Sequence, residues 1–542
     1  MAKFNTRGSR PSPVQPPASS AEVTNLAGGQ AFRQPALQQL AAHLFAAFGN
    51  EGRYYQGASE GTEALAAKVE AAAAQHPLGN LHVAAYARQV MNMRTAPMVA
   101  LVVASRIPGC KPHVRRYAPQ ILRRADEARD VLAFWKERYG DIGGRGPQGG
   151  AHAFPNALKK GLADVMLGLS EYAVAKYQGG QGSATFKDVL RVTHAHQAHA
   201  NRATEQQKAL FRYILTGEID PARLPLLAAR AALLRKETLD AEALELARRS
   251  AATWETLVSK FGRKPEAWDA VAPNLGIMAG LRNLRNLLQV EANGALDRVL
   301  AMLRSREQVR RGKQLPFRWL NAHKVLSGQI GLEHPRRNEV LEAIQQALDF
   351  SVDLLPKLPG RTFITTDNSG SMDHPVSAKS QVTRQAVGNL LGAMAHAICD
   401  DAVVSVFGET HRFVDLTRRD SVLTNMERLN RTDVGHSTNA HLSVRDLRAR
   451  KIKVDRIMVF SDMQCYGGNL SDEVRRYRAE VNPDVRVFSV DLAGYGTSPF
   501  AADDRLVTPM AGFSDRILEV VAFHEQGPDA LKDLSDQRAP VA

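Results

Sequence analysis

Cysteine is scarce in this 542-residue sequence. Cys110, Cys399 and Cys465 lie far apart, and no two of them form a CxxC pair. That excludes a thiolate zinc module and a disulfide framework, and a reducing, cytoplasmic setting is expected. Long apolar runs are also missing. The longest nearly apolar stretch, APMVALVVAS (residues 96–105), is too short to cross a bilayer and reads as a buried helix. The opening MAKFNTRGSRPSPVQPPASS has no continuous apolar core of the kind a signal peptide needs. No membrane partner is therefore expected. What is present is ordinary globular material, 44% apolar and 23% charged, in a chain too long for one hydrophobic core. Two or more domains are expected.

Charge is unevenly divided. Residues 1–350 carry 47 Lys and Arg against 30 Asp and Glu, a net of +17. Residues 351–542 carry 23 against 26, a net of −3, which together make the +14 of the whole chain. Net charge bears on partners rather than on fold, so the first two-thirds is expected to meet a polyanion and the remainder is not.

Three segments follow from the patterning. Residues 1–30 are rich in Pro, Ser and Gln and read as a flexible tail. Residues 31–355 show one helical pattern after another. In EQQKALFRYILTG, Leu210, Phe211, Ile214 and Leu215 share one face, and Gly217 is a natural stop. In LRNLRNLLQV, Leu281, Leu284 and Leu288 form a stripe with Arg282 and Arg285 turned away. Helix pairs over so long a span, without a fixed repeat period, predict an α-solenoid of degenerate HEAT-like type, with a large helical bundle as the alternative. From 356 to 542 the pattern changes. RTFITTD, AVVSVFG, DRIMVFSD and VRVFSVDLA are short, continuously apolar strands separated by helical stretches. They predict a doubly wound α/β domain with its ligand site beyond the C-terminal strand ends.

The stretch TFITTDNSGSMDH (residues 362–374) occupies such a strand end. Its DxSxS core offers one carboxylate, Asp367, and two hydroxyls, Ser369 and Ser371, with Gly370 expected to allow a tight turn. VFSD places Asp462 at a second strand end, and Thr438 in GHSTNAHL is the best third contributor, with Thr432 as runner-up. One or two carboxylates with neutral hydroxyls suit Mg²⁺, with Mn²⁺ or Ca²⁺ as alternatives. An ion held mostly by neutral ligands stays electron-poor and should attract a carboxylate from a protein ligand. Two-metal hydrolysis needs further carboxylates, and no second acidic cluster follows Asp373 and His374, so a metal-dependent nuclease is the weaker reading. His194, His196 and His199 lack a suitably spaced further ligand and read as surface or RNA-contacting residues. Cys399 is expected to pack inside its helix.

This constellation resembles the metal-ion-dependent adhesion site of von Willebrand factor A domains, in which Asp367, Ser369, Ser371, Thr438 and Asp462 would form the site. The segments FGNEGRYY, ALKKGLAD, AVAKYQ, FKDVLRVTH and LRNLRNL resemble the TROVE domain of the Ro autoantigen family, where the same order of TROVE module and A domain occurs. The resemblance, closest in kind to bacterial members, implies a ring of HEAT-like helices closed by the A domain. It also implies small noncoding Y RNA and the single-stranded 3′ ends of misfolded RNA as ligands, and an exoribonuclease as partner in RNA turnover. On it, Lys159, Lys160, Lys176, Arg191 and His194 match RNA-contacting helices. The THAHQAHANR continuation departs from the family pattern.

Basic clusters add candidates. KPHVRRYAPQILRR supplies Lys111, Arg115, Arg116, Arg123 and Arg124, with Arg116 and Arg123 two helical turns apart. RSREQVRRGKQLPFRW supplies Arg304, Arg306, Arg310, Arg311, Lys313 and Arg318, and Arg282 and Arg285 complete the set. A solvated helix face is the alternative for either cluster. The expected function is a monomeric, non-enzymatic RNA-binding scaffold. A metal-dependent protein-interaction module is the alternative.

Overall fold

The computed structural model describes residues 22–46, 58–142, 153–177, 184–331, 334–377 and 380–526. FGNEGRYY therefore lies outside the described residues. In the first half of the helical region, alternate helices pack side by side. One row runs through Ala36–Ala46, Pro77–Gln89, Lys111–Ile121, Asn156–Met166 and Phe186–Thr193. A second row holds Ala58–Gln75, Thr95–Ala104 and Glu127–Tyr139. Two-layer stacking of this kind is the α-solenoid arrangement, in which each helix buries its stripe against its neighbours. Every residue of Thr95–Ala104 except Thr95 is buried, which explains its unbroken apolar run. Glycine allows the close crossing of Lys111–Ile121 and Asn156–Met166: a Cβ on Gly161 would lie 2.6 Å from Ala118 Cβ. A later row runs through Ala241–Arg249, Pro265–Val271, Asn293–Leu303 and Arg337–Asp353. Among the described residues no helix is long and apolar enough to cross a membrane.

Strands take over where Arg337–Asp353 ends. Six of them form one sheet in the order β5 (His411–Phe413), β4 (Cys399–Phe407), β3 (Leu358–Asp367), β6 (Arg456–Ser461), β7 (Arg486–Asp491) and β9 (Val507–Ala511). All pairings are parallel except β4 with the edge strand β5. The chain passes from β3 to β4 on one side and then crosses to β6 on the other. That reversal makes the gap beyond β3 and β6 the topological switch point.

The expected tail is corrected for residues 22–30. They form β1 (Glu22–Thr24), the following turn and the first residue of β2 (Gln30–Arg33). β2 pairs with β8 (Thr497–Ser498) of the A domain. Asn25 Nδ2 donates to Cys465 O at 2.7 Å, and Leu26 N to Gln464 Oε1 at 2.8 Å. Composition missed this because main-chain pairing needs few large apolar side chains. The earlier tail residues lie outside the described ones.

The helical region thus meets the A domain at both ends. On the early side, the backbone of Ala36–Ala46 presses on Gly494 and Gly512. Both have positive φ, and a Cβ on either would sit 2.8 Å from a carbonyl of that helix. On the late side, Pro316–Gln329 and Arg337–Asp353 pack on Arg384–Ile398, and the Phe317 and Phe513 rings meet edge to face at 6.1 Å. The circuit is closed.

Other local expectations change. The helix from Lys111 ends at Ile121, and Leu122 leaves helical geometry (ψ 85°), so Arg123 lies beyond the helix and does not share a face with Arg116. Cys399 is not inside a helix; it caps Arg384–Ile398 and opens β4. Gly370 begins the short 3₁₀ turn Gly370–Asp373 without positive φ, and a Cβ there would meet ordinary contacts at 3.6 Å, so the turn does not require glycine.

Candidate metal centre and nucleic-acid interface

Asp367 is the last residue of β3, and Asp462 follows β6 directly, so two neighbouring strands deliver both carboxylates to the switch point. Asp367, Ser369, Ser371, Thr438 and Asp462 are all buried. Asp367 Oδ1 accepts from Ser369 N at 2.8 Å, and its Oδ2 accepts from Ser461 Oγ at 2.5 Å. The hydroxyls of Ser369 and Ser371 stand 3.4 Å apart. Asp462 Oδ1 accepts from Gln464 N at 3.1 Å, while its Oδ2 has no hydrogen-bond partner. The Thr438 loop is tied to both sides: Gly370 N donates to His436 O at 2.9 Å, and Tyr466 N to Thr438 O at 3.4 Å. Thr432 is disfavoured, because its hydroxyl bonds Arg428 O at 2.9 Å at the end of Val422–Asn430.

Burial raises the Asp367 pKa well above the usual carboxylate range, and the Asp462 charge raises it further. Asp462 is likewise raised by burial, against the lowering effect of Ser371 and Arg384. Two buried carboxylates facing one another with an orphaned oxygen are costly unless a cation joins them. Among the described residues no group of three or more His, Cys, Asp or Glu is placed to hold a metal. The donor set here relies on hydroxyls instead, which suits a hard, oxygen-preferring ion.

Sequence reading missed the support behind this loop. Asn368 Nδ2 donates to Leu429 O at 2.9 Å. Asn389 Nδ2 in turn reaches Asn368 Oδ1 and Asn430 Oδ1, both at 2.8 Å. The asparagine after a DxSxS aspartate was the available signal. Arg384, 2% exposed, lends positive charge to Asp462 and Asp491.

The basic candidates separate into groups. Lys111, Arg115 and Arg116 lie on Lys111–Ile121, Lys159 and Lys160 on Asn156–Met166, and Arg191 and His194 on or at the end of Phe186–Thr193. These three helices pack in succession, so the fold brings the seven residues to one row. Within it Arg115 is partly neutralised, with Nε 2.7 Å from Asp164 Oδ2. His199, expected at the surface, is buried with Nε2 3.3 Å from the same carboxyl. Arg124 is structural, paired with Asp126 at 2.8 Å and bonded to the Tyr177 hydroxyl. Three arginines of the later cluster are also paired: Arg304 with Glu339, Arg306 with Asp353 and Arg311 with Glu307.

Arg318 departs from that cluster. It joins Arg282 and Arg285 in lining a cavity of about 870 Å³ between helices Ile277–Gln289 and Pro316–Gln329, to which Thr95 and the A-domain residues Ser377 and Ser380 also contribute. Among the described residues no carboxylate lines it. Burial, reinforced by the Arg282 charge, lowers the Arg318 pKa, a repulsion that an anion would relieve.

Comparison with known proteins agrees with this architecture. The TROVE domain model matches residues 38–224 and 241–363, and the Ro60 vWA domain model matches residues 361–524. The chain belongs to the Ro family. RNA is the ligand class this membership implies. The fold of this Ro-family chain is similar to the crystal structure of the Deinococcus radiodurans RO (RSR) protein, with a TM-score of 0.63 and 18% identity over 91% of this chain and 100% of that one. Sequence relatives include telomerase protein component 1 of rat, 27% identical over 288 residues, and of mouse, 27% over 285 residues. In each case 44% of this chain matches and spans only 11% of the relative's length.

Proposed function

We propose that this Ro-family chain is a non-enzymatic, cytoplasmic RNA-binding scaffold, working as a monomer, that takes small noncoding Y-like RNA and the single-stranded 3′ ends of misfolded RNA. The observation that carries this reading is the cavity walled by Arg282, Arg285 and Arg318, with no carboxylate among its described lining residues, where the helical region meets the A domain. Guanidinium groups in a recess neutralise phosphate and stack on exposed bases, which duplex RNA does not offer. The row from Lys111 to His194 supplies a second, exposed basic surface for a structured RNA. An exoribonuclease is the partner expected to act on RNA held in this way.

The A domain contributes a divalent cation site, most simply for Mg²⁺, with Asp367, Ser369, Ser371, Thr438 and Asp462 as its residues. The orphaned Asp462 oxygen and the two repelling buried carboxylates support this. When bound, the ion supplies an electrophilic position for a carboxylate-bearing protein ligand.

A structured RNA with a single-stranded 3′ tail should bind the purified protein more tightly than a fully paired control at moderate salt, with affinity falling steeply as salt rises. Equal binding of the two RNAs would remove the 3′-end reading. Divalent-dependent cleavage of RNA by the purified protein would replace the scaffold with a nuclease.

A further inference from the structure

The arginine-lined cavity has a neighbour of different chemistry. Met278, on helix Ile277–Gln289, lines both. The neighbour measures about 360 Å³, within the size range of small-ligand pockets. Tyr172 and Lys176 enter it from Glu171–Tyr177, and Trp254 and Glu255 from Trp254–Phe261. Among the described residues Lys176 is the one basic lining residue and Glu255 the one acidic, so their charge is balanced where that of the first cavity is strongly positive.

Its rings are available. Tyr172 is 38% exposed, one of few large hydrophobic side chains left so open among the described residues. Trp254 stacks on the buried Trp268 at 5.5 Å with the planes 12° apart, yet still lines the cavity. A rigid indole backed by a second indole is a preformed platform for another flat ring. Lys176 Nζ stands 5.7 Å from the Tyr172 ring and 5.4 Å from the Tyr177 ring, holding a cation beside the aromatic wall.

We propose that this second cavity is a stacking subsite for one nucleobase of a single-stranded RNA whose phosphates lie against Arg282, Arg285 and Arg318. The inference rests on the RNA reading above and adds the place where a base is held. Phosphate is directed to the first cavity by its three guanidinium groups and kept from the second by Glu255. An unstacked base is favoured in the second by Tyr172 and Trp254. A paired base has its faces covered by its neighbours, so only a single-stranded nucleotide can enter. Stacking is tolerant of sequence because every base has a π-face.

The test uses the full chain and a single-stranded oligoribonucleotide carrying 2-aminopurine, read by anisotropy and by quenching of the base on stacking. Binding with quenching is expected for the wild type. Tyr172→Ala should weaken binding about 5- to 100-fold, the range for losing one stacked base, and reduce the quenching. Tyr172→Phe should bind within about twofold of wild type, since it keeps the ring. The salt dependence should be unchanged in Tyr172→Ala but shallower in Arg282→Ala, because only the second removes a phosphate contact. Wild-type binding with Tyr172→Ala equally tight, or with Tyr172→Phe as weak as Tyr172→Ala, overturns the stacking subsite and leaves RNA binding standing. No RNA binding by the wild type overturns both.

Discussion

The candidate A-domain site and the proposed RNA surface of the helices are built in opposite ways. The first gathers two carboxylates and three hydroxyls from three adjoining loops at the C-terminal ends of central strands, all buried, with the loops tied to one another by main-chain hydrogen bonds. The second spreads cations over helices as distant in sequence as Lys111–Ile121 and Pro316–Gln329, with most of the side chains exposed. A small hard ion needs preformed geometry, whereas a flexible polyanion needs charge along a path. The two sites should therefore respond to different perturbations and not to each other's.

Removing cations should have the largest effect. Arg282→Ala with Arg285→Ala should lower affinity for a single-stranded oligoribonucleotide about a hundredfold or more at low salt, since charged hydrogen bonds are worth about 1.5–3 kcal/mol each. The slope of log affinity against log salt should become shallower by about 1.4, two phosphates at about 0.7 each. Anisotropy titrations at several salt concentrations check both. The same double variant should keep its response to Mg²⁺. If that response is lost as well, the two regions are coupled and the contrast fails.

The converse comes next. Saturating Mg²⁺, at about a hundred times its dissociation constant, should stabilise the wild type by about 2.7 kcal/mol, visible as a raised thermal midpoint that EDTA reverses. Asp367→Ala should abolish that response while RNA affinity stays unchanged. Loss of RNA affinity in the same variant would place the ion inside the RNA site.

How each site showed in the sequence follows from the same contrast. DxSxS after a buried strand, with a second strand-end aspartate, is a local pattern, and the fold placed all five metal candidates in one region. The Asn368–Asn389–Asn430 network behind it is not local, and nothing in the helical periodicity of Arg384–Ile398 marks Asn389 as its centre. The basic residues were legible as a composition bias but not as a surface. Arg318 belongs to the cavity while Arg304, Arg306 and Arg311 are held by carboxylates, and only tertiary packing sorts them. Pairing of β2 with β8 was invisible for a similar reason, because it joins the two extremes of the described chain. Tyr172 and Trp254 carried no signal, since isolated aromatics in amphipathic helices read as core.

Asp164 offers the smallest and finest comparison, a carboxylate on the helical surface rather than in the A-domain site. Burial would raise its pKa, but the Arg115 hydrogen bond and charge, helped by His199 and Arg202, hold it below the usual value of 3.8. A carboxylate lowered in the folded state adds stability above its unfolded pKa and loses it as pH falls through the folded one. Asp164→Asn should therefore cost less than about 1 kcal/mol near neutral pH, because its partners Arg115 and Arg202 are half or more exposed and solvent screens the pairing, and nothing once the medium is acid enough to protonate the wild-type carboxyl. Urea midpoints of the two proteins should converge as pH drops below the ordinary carboxylate range. RNA affinity should move the other way. With Asp164 gone, Arg115 is no longer partly neutralised, and the salt slope for a structured RNA should steepen. An unchanged slope would mean that Arg115 serves helix packing alone and that the RNA path along this row runs through its other cations.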